Sequence, residues 1–296
     1  MPATVGQAPP EDRARALPDG PSAAPDPARE RFLLTLWTDE PTLAGEAARA
    51  GVDRIGLDLE RRGKQARQAG LGTWISTHRL ERLPALRDAV AGAQLFARVN
   101  PPSPESPAEV EHLLAEGVQV LMLPMFRRAE EVERFCATVA GRALVVPLLE
   151  TLEAVEEVQA LASVAGVHEL HVGINDLALS LGARNRFEVL DGEPLRRIAA
   201  DAHAAGLRLG IGGIGRLGDP RLPIPADLVY AQYARLGASA ALLSRAFTDG
   251  ACAVDRLGAE LQRSRARLAR WSTASVAELE HARLAFRAAV GEAASW

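Results

Sequence analysis

The sequence predicts a (β/α)8 barrel followed by extra C-terminal helices. Short apolar runs alternate with amphipathic stretches of helical period, a pattern typical of a parallel sheet. An open doubly wound sheet is the alternative, but it normally carries a glycine-rich turn after its first strand. Here that turn reads LTLWTDEPT, without glycine. Eight runs are candidate strands: FLLTLW (32–37), RIGLDL (54–59), LFARVN (95–100), VQVLMLP (118–124), ALVVPLLE (143–150), ELHVG (169–173), LRLGIGG (207–213) and SAALLS (239–244).

Helices are predicted between these strands, because several of the intervening stretches begin after Ser, Thr, Asp or Pro and end at Gly. They are PTLAGEAARAG, RLERLPALRDAVAG, PAEVEHLLAEG, AEEVERFCATVAG, LEAVEEVQALASVAG, PLRRIAADAHAAG and PADLVYAQYARLG. The tail adds the helix VDRLGAELQRSRARLARW and a second one. The second is predicted to open at Ser275, with Glu278 three residues on, as in a capping box.

Three regions follow from this pattern. Residues 1–30 are rich in Pro, Ala and charge and lack an apolar signal segment, so we expect a disordered tail. Residues 31–250 form the expected barrel. Residues 251–296 supply the extra C-terminal helices, which we expect to pack on a neighbouring subunit.

Composition excludes several classes of protein. The chain has 296 residues, of which 48% are hydrophobic, and its formal net charge of −4 gives no nucleic-acid footprint. No apolar run is long enough for a membrane span. Two cysteines form no disulfide framework, which favours the reducing cytoplasm. We therefore expect a cytoplasmic protein with a small-molecule substrate, no nucleic-acid partner and no membrane partner.

Polar residues gather where the predicted strands end, which is where barrel enzymes place their chemistry. Asp58 and Glu60 share one face of the second strand, and Arg98 lies in the third. Glu150 ends the fifth strand and Asp176 follows the sixth. Carboxylates this close need a cation to offset their repulsion, and two carboxylates with water suit Mg²⁺ or Mn²⁺. The open metal positions and Arg98 would then bind a 2-oxo acid and stabilise its enolate.

Other residues keep two interpretations. Asp176 in GINDLALSLG is a metal ligand or a helix N-cap or Asx-turn residue. Gly212 and Gly213 in GIGGIGR predict a phosphate or carboxylate site near the seventh and eighth strands, or only a tight turn. Ser244 and Arg245 after the eighth strand have the same two interpretations. For the run RRGK, with Arg61 and Lys64, the choice is substrate contact or solvated charge.

The sequence resembles the HpcH/HpaI aldolase and citrate lyase β-subunit family over roughly residues 31–250. The resemblance rests on the order and spacing of GVDRIGLDLE, ARVNP, VLMLPMF, LLETLEAVEEV and GVHELHVGINDLALSLG. It implies a TIM barrel, divalent-metal ligation by Glu150 and Asp176, and binding of the carbonyl or enolate oxygen by Arg98. It also implies a homo-oligomer, a trimer or hexamer.

One position departs from that family. Pyruvate aldolases carry a His directly after the D-x-E pair, and the citrate lyase branch carries an Asp, whereas this chain has Arg61. His78 in WISTHRLE is a substitute acid/base candidate, against the alternative of a surface histidine at a helix start.

Together these features predict a metal-dependent C–C lyase or aldolase acting through the enolate of a pyruvate-like 2-oxo acid. Arg98, His78, Asp58 and Glu60 are its candidate catalytic residues. One alternative is a lyase of CoA thioesters, as in citrate lyase β-subunits and malyl-CoA lyases, where CoA is part of the substrate. A second is a barrel that binds a ligand without catalysis.

Overall fold

The computed structural model describes residues 31–67, 76–248 and 254–293, and within them the chain forms a closed barrel of eight parallel strands. Each strand pairs with its neighbours in chain order, and the eighth closes on the first. The strands are β1 Leu33–Trp37, β2 Arg54–Asp58, β3 Gln94–Arg98, β4 Val120–Leu123, β5 Leu144–Leu149, β6 Glu169–Val172, β7 Arg208–Ile214 and β8 Ala240–Leu243. The predicted fold class is therefore confirmed.

Helices surround the strands and complete the fold. They are α1 Pro41–Arg49, α2 Lys64–Arg67, α3 Leu83–Ala89, α4 Ser106–Ala115, α5 Ala129–Val139, α6 Leu152–Glu156, α7 Val158–Ala162, α8 Ile174–Ser180, α9 Glu193–Ala204, α10 Ala226–Arg235, α11 Val254–Ser272 and α12 Val276–Glu292. Short 3-10 helices span Leu80–Arg82, Arg186–Asp191 and Arg245–Phe247.

The predicted strands match the observed ones to within two residues at each end. Three differences concern helices. The stretch LEAVEEVQALASVAG forms two short helices, α6 and α7, that meet at Glu157, whose carboxylate accepts a hydrogen bond from the backbone N–H of Ala129 at the start of α5. The short helices α2 and α8 were not predicted. Helix α8 forms because Ile174, Leu177 and Ala178 share one buried face.

The apolar core has two layers, as a closed barrel requires. The larger layer lies between the strands and the surrounding helices. The smaller layer fills the barrel interior and contains Phe96, Val120, Met122, Val146 and Leu148. Arg98 follows Phe96 at the same strand parity, and Glu150 follows Leu148, so both polar side chains stand above this interior layer at the carboxyl ends of their strands.

The two C-terminal helices pack on the chain's own barrel: α11 contacts α10 and α1, and α12 contacts α10 and the 3-10 helix Arg186–Asp191. The capping box predicted at Ser275 and Glu278 is present. Packing on a neighbouring subunit stays a prediction. The tail 1–30 and the boundary at residues 250 and 251 lie outside the described residues. In the described parts, every helix is too short or too polar to cross a membrane.

Candidate active site

A cavity of about 540 Å³ opens at the carboxyl ends of the strands. Most of the side chains predicted for the site line it together. They are Asp58, Lys64, His78, Arg98, Glu150, Asp176, Ser244 and Arg245, joined by the backbone at Gly212 and Gly213. The cavity floor is the apolar interior of the barrel, so charges placed there are shielded from bulk water.

Arg98 is held by Asp58 and Trp37. Its Nε and Nη2 donate to the two carboxylate oxygens of Asp58 at 2.8 and 2.7 Å, and its guanidinium lies 5.8 Å from the ring centroid of Trp37. Burial opposes ionisation of Asp58, but Arg98, and then Lys64, outweigh it and keep the pKa of Asp58 well below its usual range. Two N–H groups of the guanidinium are used on Asp58, which leaves others to face a ligand.

Glu60 is completely buried and is surrounded by cations. The ammonium of Lys64 lies 3.1 Å from Oδ2 of Asp58 and 3.1 Å from Oε2 of Glu60. Arg67 contacts the other oxygen of Glu60 through Nη2, and Nη1 of Arg98 lies 3.4 Å from Oε2. Lys64 is itself only 3% exposed, so it is a buried member of the site and the solvated alternative for this residue is wrong.

Glu150 is placed without a cationic partner: none of the ion pairs among the described residues involves it. Its Oε1 accepts a hydrogen bond at 2.9 Å from the backbone N–H of Met125, which has a left-handed backbone with φ of 55°. A Cβ on Gly173 would lie 2.8 Å from its Oε2, so a glycine is needed there. Burial, and then the charges of Glu60 and Asp176, raise the pKa of Glu150 well above its usual value.

Asp176 lies in the first turn of α8, and Gly173 occupies the N-cap position. The N-cap interpretation of Asp176 is therefore wrong. Its Oδ1 lies 3.5 Å from Nε of Arg67, and the residue is 8% exposed at the cavity wall. Glu150 and Asp176 line the same cavity, and the charge of Asp176 contributes to the raised pKa of Glu150.

These two carboxylates fit a divalent cation. Both are hard oxygen donors at one cavity wall, and their mutual repulsion in a buried site is what a cation would relieve. Among the described residues no group of three or more His, Cys, Asp or Glu side chains has metal-site geometry. Glu150 and Asp176 alone would leave most coordination positions to water or substrate.

His78 lies in the cavity wall and is 6% exposed, so the surface alternative is wrong. The backbone N–H of Asp58 donates to its Nδ1 at 3.0 Å, which places the ring proton of the neutral imidazole on Nε2. Burial lowers the pKa of His78 below its usual value. Because Nδ1 is already an acceptor and Nε2 carries the proton, this geometry suits a hydrogen-bond donor and argues against His78 as a base.

Arg61 is exposed and is not among the residues lining the cavity. Its guanidinium donates to the backbone carbonyl of His78, and its backbone N–H donates to Oδ1 of Asn100 at 3.0 Å. A substrate contact by Arg61 stays a prediction, without support from its position.

The sequence reasoning missed three residues of the site: Trp37, Arg67 and Arg186. Trp37 and Arg186 line the cavity, and Arg67 lies between Glu60 and Asp176. Arg67 had a signal, because it follows Lys64 by three residues and so shares its helical face. No sequence pattern predicts the position of Arg186, since only the fold brings the loop after α8 to the cavity.

Comparison with known proteins places this barrel among solved relatives. Residues 31–211 match the family model HpcH/HpaI aldolase/citrate lyase. An HpcH/HpaI aldolase from Desulfitobacterium hafniense is 17% identical with a TM-score of 0.56, covering 73% of this chain and 87% of that chain. A protein of the HpcH/HpaI aldolase/citrate lyase family from Burkholderia cenocepacia is 20% identical with a TM-score of 0.54, covering 81% and 95%.

Macrophomate synthase, a third similar structure, is 16% identical with a TM-score of 0.55, and the match covers 83% of this chain and 87% of that chain. At these identities the similarity shows the fold alone. A comparison of the sequence with curated proteins gave no match.

Proposed function

Because the chain belongs to the HpcH/HpaI aldolase/citrate lyase family, we propose that it is a divalent-metal-dependent C–C lyase or aldolase. Its substrate is a pyruvate-like 2-oxo acid or the corresponding aldol adduct. The observation that carries this proposal is the pair Glu150 and Asp176 in one cavity wall, with repelling charges and with Arg98 nearby.

Glu150 and Asp176 would hold Mg²⁺ or Mn²⁺. When bound, the cation supplies a Lewis acid for the carbonyl of the 2-oxo acid. Arg98 supplies a fixed positive charge to the same oxygen, which carries the negative charge of the enolate when the C–C bond breaks. Asp58 and Trp37 keep its guanidinium in place before substrate arrives, so little reorganisation is needed during the reaction.

His78 is assigned as a hydrogen-bond donor at Nε2, since its Nδ1 accepts from the backbone N–H of Asp58. In the cleavage direction it would hydrogen-bond to the hydroxyl oxygen of the adduct, whose proton would pass to solvent water as the aldehyde forms. In the aldol direction it would donate to the aldehyde oxygen as that oxygen becomes an alkoxide. Lys64 and Arg67 position Glu60 and offset its buried charge.

Proton exchange of the pyruvate methyl group in D₂O tests this function most simply. With Mg²⁺ or Mn²⁺ present, we expect NMR to show metal-dependent loss of the methyl proton signal. Glu150→Gln and Asp176→Asn should abolish this metal-dependent exchange, because each variant lacks one anionic metal ligand. Arg98→Met should slow exchange by about a hundredfold, the typical effect of removing one oxyanion donor.

Glu111→Gln is the control, since Glu111 lies exposed on α4 and pairs with Arg142. It should exchange pyruvate like the wild type. Metal-dependent exchange that survives in Glu150→Gln would contradict the ligand assignment. No exchange by the wild type with either metal would contradict the pyruvate-like substrate.

A further inference from the structure

The cavity also has a charged wall formed by Arg186 and Arg245. Arg186 comes from the 3-10 helix after α8, and Arg245 begins the 3-10 helix after β8. Both line the cavity. Around the barrel, β8 is separated from β3, which carries Arg98, by β1 and β2, and from β5, which leads to Glu150, by β6 and β7. Arg245 therefore lies across the mouth from these strands, whereas Arg186 comes from the β6–β7 connection that also carries Asp176.

Arg186 is held in place by its own segment. The side chain of Asn185 accepts a hydrogen bond from the backbone N–H of Phe187, capping the 3-10 helix. The guanidinium of Arg186 lies 5.1 Å from the ring centroid of Phe187. At the other end of the helix, Asp191 accepts from Arg283 and Arg287 of α12. The segment is thus clamped at both ends, and the position of Arg186 is built into the fold.

Arg186 has no anionic partner among the described residues. None of the ion pairs among the described residues involves Arg186, although the side chain is half-buried. Burial, and then repulsion by Arg245, lower the pKa of Arg186 below its usual value. The hydroxyl of Ser244, next to Arg245 and also in the cavity wall, is buried without a hydrogen-bond partner among the described residues. Two guanidiniums and a hydroxyl donor on one wall are complementary to an anion.

We propose that Arg186, Arg245 and Ser244 form a subsite for a phosphate or carboxylate group on the substrate. The inference rests on the proposed function for its place in the reaction: the 2-oxo acid binds at Glu150, Asp176 and Arg98, and the anionic group is the distal end of the aldehyde partner or of the adduct. Substrates with an anionic tail are therefore selected over neutral ones. Planar guanidiniums bind both phosphate and carboxylate groups. The test therefore uses both kinds of anion, so that it shows which one the subsite prefers.

Binding of simple anions tests the subsite without any reaction. Inorganic phosphate and acetate are titrated into the protein by calorimetry. We expect one of them to bind, and Arg186→Gln to weaken that binding by about tenfold, the loss of one charge-assisted contact. Arg186→Lys should retain part of the affinity. Arg184→Gln is the matched control. Arg184 lies two residues before Arg186, is exposed and pairs with Glu188, so the variant removes the same charge outside the cavity.

Equal anion affinity in the wild type and in a folded Arg186→Gln would overturn the subsite, as would failure of the wild type to bind either anion. Equal weakening by Arg184→Gln would also overturn it, since general charge would then explain the effect. If circular dichroism shows that Arg186→Gln does not fold, Arg245→Gln is used in its place with the same expected loss.

Aldehyde selectivity tests the role in catalysis. Glyceraldehyde 3-phosphate, malonic semialdehyde and glyceraldehyde carry a phosphate, a carboxylate and a neutral group, respectively. With pyruvate as donor, we expect an anionic aldehyde to have a kcat/KM at least about tenfold above that of glyceraldehyde, an advantage that Arg186→Gln removes mainly through KM. Equal use of all three would overturn the proposal even if pyruvate exchange is observed. Arg186-dependent anion binding without pyruvate exchange would uphold the subsite and contradict the proposed function instead.

Discussion

The two ends of the barrel interior handle buried charge in opposite ways. At the amino end, Arg54 on β2 reaches across to Glu169 on β6, with 2.7 Å between Nη1 and Oε2, and both side chains are about 5% exposed or less. Gln94 accepts from the Nε of Arg54, and His171 lies 3.5 Å from Glu169. At the carboxyl end, Glu150 is buried with a single backbone donor and raised pKa.

The charge balance at the carboxyl end explains this difference. Among the described residues, four carboxylates form one cluster there, Asp58, Glu60, Glu150 and Asp176. Three cations lie within this cluster, Lys64, Arg67 and Arg98, while Arg186 and Arg245 line another part of the cavity. The amino end stabilises the fold through a matched pair. The carboxyl end keeps an uncompensated carboxylate, which costs stability and leaves room for a cation and a substrate. Arg54 and Glu169 thus stabilise the barrel, whereas Glu150 and its neighbours are placed to bind ligands.

The largest expected effect is at the amino end. Glu169→Ala leaves Arg54 buried without its partner, and should lower the free energy of unfolding by about 3–5 kcal/mol. The double variant Arg54→Met with Glu169→Leu should recover most of that loss, because an apolar pair of similar volume removes both charges. Urea denaturation followed by circular dichroism measures both. A loss below about 1 kcal/mol, within the range of a surface ion pair, would contradict the buried-pair account.

The same pair predicts a pH dependence. Burial opposes ionisation of Glu169, but Arg54, and then His171, outweigh it and lower its pKa from 4.5 to about 2. The ionised carboxylate thus contributes fully above pH 4.5, and its contribution of about 3 kcal/mol is lost as the pH falls from 4.5 towards 2. Urea denaturation of the wild type between pH 6 and pH 3 should show about 2 kcal/mol of this loss. The double variant Arg54→Met with Glu169→Leu should lack it. Parallel pH profiles would contradict the assignment.

The carboxyl end should respond with the opposite sign. Glu150→Gln removes a charge that Glu60 and Asp176 repel, while its amide oxygen still accepts from Met125. In metal-free buffer we expect the variant to be more stable than the wild type by about 1 kcal/mol, since stability and function trade off at such sites. Thermal and urea unfolding measure the difference. A loss of stability comparable to that of Glu169→Ala would erase the contrast between the two ends.

The smallest effect concerns Arg67, which contacts Glu60 and lies 3.5 Å from Asp176. Arg67→Gln should tighten Mn²⁺ binding by a few-fold, because a cation that competes for the same carboxylates is removed; a partly exposed pair is worth about 1 kcal/mol or less. Calorimetric titration with Mn²⁺ measures it. Arg62→Gln is the control, since Arg62 pairs with Glu105 at the exposed surface. Weaker binding in Arg67→Gln would show that Arg67 supports the site instead.

Much of the barrel could be predicted from the sequence, because strand and helix patterns are local. The eight strands and the capping box at Ser275 follow from periodicity and end signals. The placement of Glu150 and Asp176 at one wall followed from a topological rule, that parallel strands of a barrel end on one face.

The partners of these residues were harder to predict, because they depend on side-chain directions in loops. Lys64 lines the cavity, as a substrate contact requires, but its burial against Asp58 and Glu60 could not be read from the sequence. The proton on His78 is placed by one backbone N–H, and sequence spacing carries no information on that contact. Arg186 reaches the cavity only because the fold clamps its segment to α12.

Mn²⁺ binding tests the central claim most directly. Electron paramagnetic resonance counts free and bound Mn²⁺ in titrations of the wild type, Glu150→Gln, Asp176→Asn and the surface control Glu111→Gln. We predict one bound Mn²⁺ per chain in the wild type and in Glu111→Gln, and at least about tenfold weaker binding in the two site variants, each of which lacks an anionic ligand. Unchanged Mn²⁺ affinity in Glu150→Gln and Asp176→Asn would contradict the claim that these two carboxylates form a metal site.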